Sequence, residues 1–204
     1  AVIRTAADAA SHTSGSQEKY LNIIKDECQR GNALVKNLLL LSSAQQENWN
    51  VNMRYFELDE MLLHLMELYE PLCNAKGGTL LLTLPEETLP PVYADSELCL
   101  QIFTILLDNA IAYGLPNAGK IILGASRSHS GVTVCVTDFG SGISDEEKSL
   151  IFDPFYRQDK SRNDKTHFGL GLAIAARLAK LQHIKLWVRD TEEGGCTFEV
   201  IFSG

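Results

Sequence analysis

The chain has 204 residues, 45% of them hydrophobic and 22% charged, and a net charge of -8 at neutral pH. That apolar content can offset the entropy of ordering the chain, which excludes global disorder, and the length suits one domain of ordinary size plus a smaller appendage. The acidic balance repels a phosphate backbone on average, so nucleic acid is excluded as an expected partner.

In chain order, the start AVIRTAADAA is alanine-rich and favours helix, and SHTSGS after it is a turn cluster containing Gly15. From Gln17 to Gln45 a long amphipathic helix is predicted, with Tyr20, Ile24, Leu34, Leu38 and Leu41 on one seam at near-heptad spacing. Residues 1–47 therefore read as a helical hairpin. Its first arm is too short to cover that seam, which points to a missing upstream segment, a partner chain, or both. After the polar break QENWN the pattern changes to alternating helices and strands, from about residue 51 to residue 204. FELDEMLLHLMELYEPL, DSELCLQIFTILLDNAIAYG and GLGLAIAARLAKL read as helices; GTLLLTLP, KIILGAS, GVTVCVTD, HIKLWVRD and CTFEVIF read as short strands. The expected fold class is α/β, with helices covering a sheet, preceded by the hairpin.

The five cysteines are far apart, without a C-x-x-C pair, and read as reduced packing residues. No stretch reaches the roughly 18 apolar residues of a membrane span, and the start has no signal-peptide architecture, so a cytoplasmic location is expected for this segment.

Four blocks carry chemistry. On the central helix, Asn109 offers an amide oxygen suited to magnesium, and Tyr113, four residues on and on the same face, offers an aromatic surface for a base. At the end of a strand, Asp138-Phe139-Gly140-Ser141-Gly142-Ile143 pairs a carboxylate that can accept an exocyclic amino group with glycines that permit close backbone approach. Ile151-Phe152-Asp153-Pro154-Phe155-Tyr156-Arg157 is an aromatic cluster leading into QDKSRNDKTH, a polar stretch with the look of a lid. Arg157, Lys160, Arg162, Lys165 and a protonated His167 could reach phosphate oxygens from there. Last, Phe168-Gly169-Leu170-Gly171-Leu172-Ala173-Ile174 places glycines at a helix N-terminus, where free N–H groups suit a triphosphate. Each block alone is also compatible with ordinary structure: a hydrogen-bonded helix asparagine, a strand-to-turn Asp-Gly pair, a solvated loop.

The order LLDNAIAY, DFGSGI, IFDPFYR and GLGLAIA resembles the N, G1, F and G2 boxes of the histidine-kinase catalytic domain, over nearly all of residues 51–204, with Gly194-Gly195 as a last glycine turn. The resemblance implies a two-layer α/β sandwich holding ATP under a lid. It puts Asn109 on magnesium, Tyr113 near adenine and Asp138 on the adenine amino group. The rest of the implied ATP site is Gly140, Gly142, Ile143, Phe155, Arg157, Lys160, Gly169, Leu170, Gly171 and Leu172. The hairpin resembles the family's dimerisation and phosphoacceptor domain, cut just after its acceptor. His12, in ASHTSG, lacks the acidic neighbour and Thr-Pro kink of that acceptor, and His64, His129, His167 and His183 fall in no acceptor context, so the acceptor is expected upstream of Ala1. The implied partners are a second copy of the chain and a response-regulator receiver domain, and the implied full-length protein is membrane-anchored upstream. Ile105 and Ala112 depart from the polar Asn and the Lys usual in the family. The competing readings are a nucleotide-sensing or phosphatase-biased module and a hydrolytic ATPase.

Overall fold

The computed structural model describes residues 3, 5, 17–44, 49–115, 119–128, 131–157 and 168–203. Its sheet has five strands: β2 (Thr79–Thr83), β4 (Lys120–Ser128), β5 (Gly131–Asp138), β6 (Lys185–Asp190) and β7 (Cys196–Ser203). Their order across the sheet is β2-β4-β5-β7-β6, with β2 parallel to β4 and the other neighbours antiparallel. Strict alternation in β5 sends Val132, Val134 and Val136 into the core and leaves Thr133, Cys135 and Thr137 half-buried on the other face. Its neighbour β7 alternates in the same way from Phe198 on, with Phe198, Val200 and Phe202 in the core. Three helices cover the apolar face: α2 (Leu58–Ala75), α3 (Ser96–Asn109) and α4 (Gly171–Leu181). The α2 helix turns Leu58, Leu62, Leu65, Tyr69 and Cys73 inward, the three- and four-residue spacing of one helical face. The result is the expected two-layer α/β sandwich.

The sequence reading missed a second, two-stranded ribbon, in which β1 (Arg54–Phe56) pairs antiparallel with β3 (Val92–Ala94). Strands of three residues are too short to show a period. Phe56, expected in helix, is the last residue of β1, and α2 starts two residues later and runs through Pro71 to Ala75. The third helix is not α-helical to Gly114 either, because Ala110–Gly114 forms a wider π turn.

Asp95 fixes where α3 begins. One carboxylate oxygen accepts from Glu97 N at 3.0 Å and Leu98 N at 3.2 Å, and the other accepts from Asn52 N at 2.8 Å. Its own N–H donates to the buried Gln182 amide oxygen at 2.8 Å, which ties the start of α3 to the end of α4. Asp95→Ala removes a cap and strands the Asn52 N–H, so a loss of about 2–3 kcal/mol is expected in urea unfolding. A loss under about 0.5 kcal/mol would show that the cap is not holding the helix.

The hairpin helix, α1 (Gln17–Ala44), differs from its predicted seam. Leu34 and Leu41 pack against the α/β unit together with Leu40, whereas Leu38 is 41% exposed. Leu21, Val35 and Leu39, exposed by 55–62%, lie on the opposite side. The helix therefore has two apolar faces, one spent on its own chain and one open. The first arm and its turn lie outside the described residues, apart from Ile3 and Thr5, which are helical.

Candidate nucleotide-binding site

A cavity of about 610 Å³ opens between α3, the start of α4, the loop after β5 and the start of β7. That volume is in the range of small-molecule sites. Asp138 lies at its floor, at the last position of β5, and is 5% exposed. One carboxylate oxygen accepts from Gly140 N at 2.9 Å, and the other accepts from the Cys196 thiol at 3.0 Å. Both oxygens keep a lone pair for an incoming donor. Burial first, and then the negative Asp138 beside it, pushes the Cys196 thiol far above its ordinary pKa. The thiol therefore stays protonated and donates. The sequence classed Cys196 as packing, and only the pairing of β5 with β7 brings it to Asp138.

The glycines of this region serve backbone packing as much as ligand approach. Gly195 has φ +85°, and a Cβ there would overlap the Asp138 carbonyl and meet Phe139 Cα. A Cβ on Gly140 would stand 2.6 Å from the Tyr113 carbonyl oxygen, and one on Gly114 would stand 2.5 Å from Asp138 Cβ. The turn after β5, the π turn and the Gly194-Gly195 turn are thus pressed together around the Asp138 carboxylate. Gly114 was not singled out by the sequence reading. Gly140 supports the site from behind, whereas Gly142, Gly169 and Gly171 line the cavity.

The α3 helix presents Ile105, Asp108 and Asn109 to the same cavity. Among the described residues, Asn109 Nδ2 is the buried side-chain polar atom with no hydrogen-bond partner. Such an orphan is costly and asks for a ligand. Turning the amide by half a revolution presents its oxygen instead, so the side chain fits a hard cation. Asp108, exposed at the cavity edge, accepts from the Tyr69 hydroxyl at 3.0 Å. Burial first, and then the Asp108 charge, pushes that phenol well above its usual pKa. Ile105 lies against the start of α4, 3.3 Å from where a Gly171 Cβ would be. The N-terminus of α4 has no side-chain cap.

The aromatic cluster forms one rim. Tyr156 and Arg157 line the cavity, and the Tyr156 hydroxyl donates to Glu147, which also accepts from the Ser144 hydroxyl, both at 2.8 Å. Phe155 does not join the site. It has φ +67° and is 62% exposed, and it contributes its N–H, which donates to Gly169 O at 2.8 Å. Lys160 and the rest of 158–167 lie outside the described residues. Of the remaining expected residues, Asn109, Tyr113, Asp138, Ile143, Leu170 and Leu172 line the cavity with the three glycines. Ile151, from the aromatic block, and Phe198, which sequence reasoning missed, add apolar wall, and the equally unforeseen Ala33 and Asn37 come from α1.

Residues 94–203 match the family model described as histidine kinase-, DNA gyrase B-, and HSP90-like ATPase, which is over half of the chain. The chain is 31% identical over 167 residues to the adaptive-response sensory kinase SasA of Synechocystis sp., an alignment covering 81% of this chain and 43% of that protein. It thus spans less than half the length of such curated relatives. Its fold is similar to that of full-length ShkA solved with AMPPNP, with a TM-score of 0.76 at 23% identity, covering 94% of this chain and 40% of ShkA. It is likewise similar to histidine kinase ThkA solved with the response regulator TrrA, with a TM-score of 0.73 at 23% identity, covering 98% of this chain and 58% of that one.

Proposed function

We propose, from the premise that this chain belongs to the histidine kinase-, DNA gyrase B-, and HSP90-like ATPase family, that it is the ATP-binding catalytic core of a two-component sensor kinase. In this reading the γ-phosphoryl of ATP passes to a histidine and then to a response-regulator aspartate. The observation that carries it is one cavity lined by both a doubly held, buried carboxylate, Asp138, and an orphaned amide, Asn109. The names of the relatives support the same reading: SasA is called a sensory kinase, ShkA was solved with an ATP analogue and ThkA with a response regulator.

Each residue then has a task. Asp138, held in place by Gly140 and Cys196, accepts the exocyclic amino group of adenine. Ile143, Ile151 and Phe198 give the purine apolar walls. The uncapped N–H groups of α4, beginning at Gly171, face the phosphates and stabilise negative charge there. Asn109 would hold magnesium, whose charge offsets that of the phosphates when bound. Arg157 stands on the rim nearest the lid segment. With no covalent chemistry for these side chains to do, their contribution is positioning and charge stabilisation. The outward face of α1 is read as the surface that pairs with a second copy.

Isothermal titration with Mg-ATP and Mg-GTP tests the reading. Binding of ATP in clear preference to GTP is expected, and equal or absent binding would overturn it. Little turnover is expected of this chain, whether as a kinase core or as a nucleotide-sensing or phosphatase-biased module, because none of its histidines stands in an acceptor context and Ile105 puts an alkyl group at the wall where a water-activating base would have to stand. General-base help is worth roughly 10²- to 10⁴-fold. Incubation with γ-labelled ATP is therefore expected to give neither acid-labile protein label nor free phosphate above the protein-free control over an hour. Rapid phosphate release would favour a hydrolase and make Asp108 the next base to test.

A further inference from the structure

We infer that the helical arm supplies a nucleotide contact of its own: Asn37 of α1 reaches the phosphate end of the cavity and couples nucleotide binding to the seating of the arm. The inference rests on the nucleotide reading above and adds to it a residue from outside the ATPase unit.

The arm meets that unit along α4, and Leu34, Leu40 and Leu41 pack against its core. Ala33 and Asn37 lie one turn apart on the same side of the helix, and both line the cavity together with Ile105, Asp108, Asn109 and Leu172. The arm meets α4, and Gly171 and Leu172 at the start of α4 line the same cavity, so the arm comes to the side assigned to phosphates. Ala33 keeps that wall shallow. Asn37 is the polar residue that α1 contributes, a neutral amide with two donors and one acceptor. It can donate to a phosphate oxygen or accept from a metal-bound water, without the repulsion a carboxylate would bring. Because the same helix face carries the apolar anchors, a ligand that engages Asn37 favours the seated arm, and by linkage a seated arm raises the affinity for that ligand. Loss of the terminal phosphate weakens the hold.

The test uses the intact chain, with ATP, ADP and adenosine as probes. Asn37→Ala, favourable in a helix, is expected to weaken ATP binding about five- to tenfold and to leave adenosine unchanged. Asn37→Asp is expected to weaken ATP further, by charge repulsion, and again to spare adenosine. Hydrogen exchange gives the second readout: ATP is expected to slow exchange of the α1 amides around residues 33–41 in the parent, and less so in Asn37→Ala. Parent-like ATP affinity and parent-like protection in Asn37→Ala would overturn the inference and leave the nucleotide reading intact. Equal weakening of ATP and adenosine would mark Asn37 as merely structural and overturn it as well. A parent that binds no nucleotide would overturn both.

Discussion

Asp138→Asn is expected to lower ATP affinity by about 10²-fold and to abolish the preference for ATP over GTP, with the fold intact. In the parent, Gly140 N and the Cys196 thiol occupy one lone pair on each carboxylate oxygen, leaving an acceptor free for the adenine amino group. An amide at this position keeps one oxygen. If that oxygen serves Gly140, the amide nitrogen turns donors toward both the thiol and the adenine amino group. The loss is then a charge-assisted hydrogen bond, worth about 1.5–3 kcal/mol, in a site 5% exposed where mismatched donors find no water. Calorimetry with both nucleotides reads the effect, and circular dichroism checks the fold. ATP binding within twofold of the parent would mean that the purine is recognised elsewhere in the cavity.

Val35→Glu together with Leu39→Glu is expected to convert a dimer into a monomer while leaving ATP binding within about twofold of the parent. Both side chains are more than half exposed, on the side of α1 turned away from the ATPase unit. An open apolar stripe on a helix is stable in water only when something covers it, and a second copy of the same stripe covers it symmetrically. Two buried, unpaired carboxylates per chain would cost several kcal/mol, enough to weaken association by about 10³-fold or more. Sedimentation across a range of concentrations gives the answer. A parent that stays monomeric at every concentration would rule out the stripe as a dimer surface.

Much of this molecule was legible from local pattern. The alternation of GVTVCVTD and CTFEVIF specifies which side chains enter the core, because a strand's faces follow from the two-residue period alone. The order of the four blocks likewise marked Asp138, Asn109 and the glycines at the head of α4. Tertiary structure decided what local period cannot encode, namely which element covers which face. Cys196 reads as one more apolar cysteine until β5 and β7 pair and set its thiol against a carboxylate 58 residues earlier. Gly140 reads as a ligand-facing glycine until the Tyr113 carbonyl arrives where its Cβ would be. Phe155 reads as part of an aromatic pocket, yet a left-handed backbone at that residue turns its ring to solvent. The seam of α1 shows the same division: the 3.6-residue period placed apolar residues around the helix, but the contact with α4 separated Leu34 and Leu41 from Leu38 and put Asn37 at the edge of the cavity.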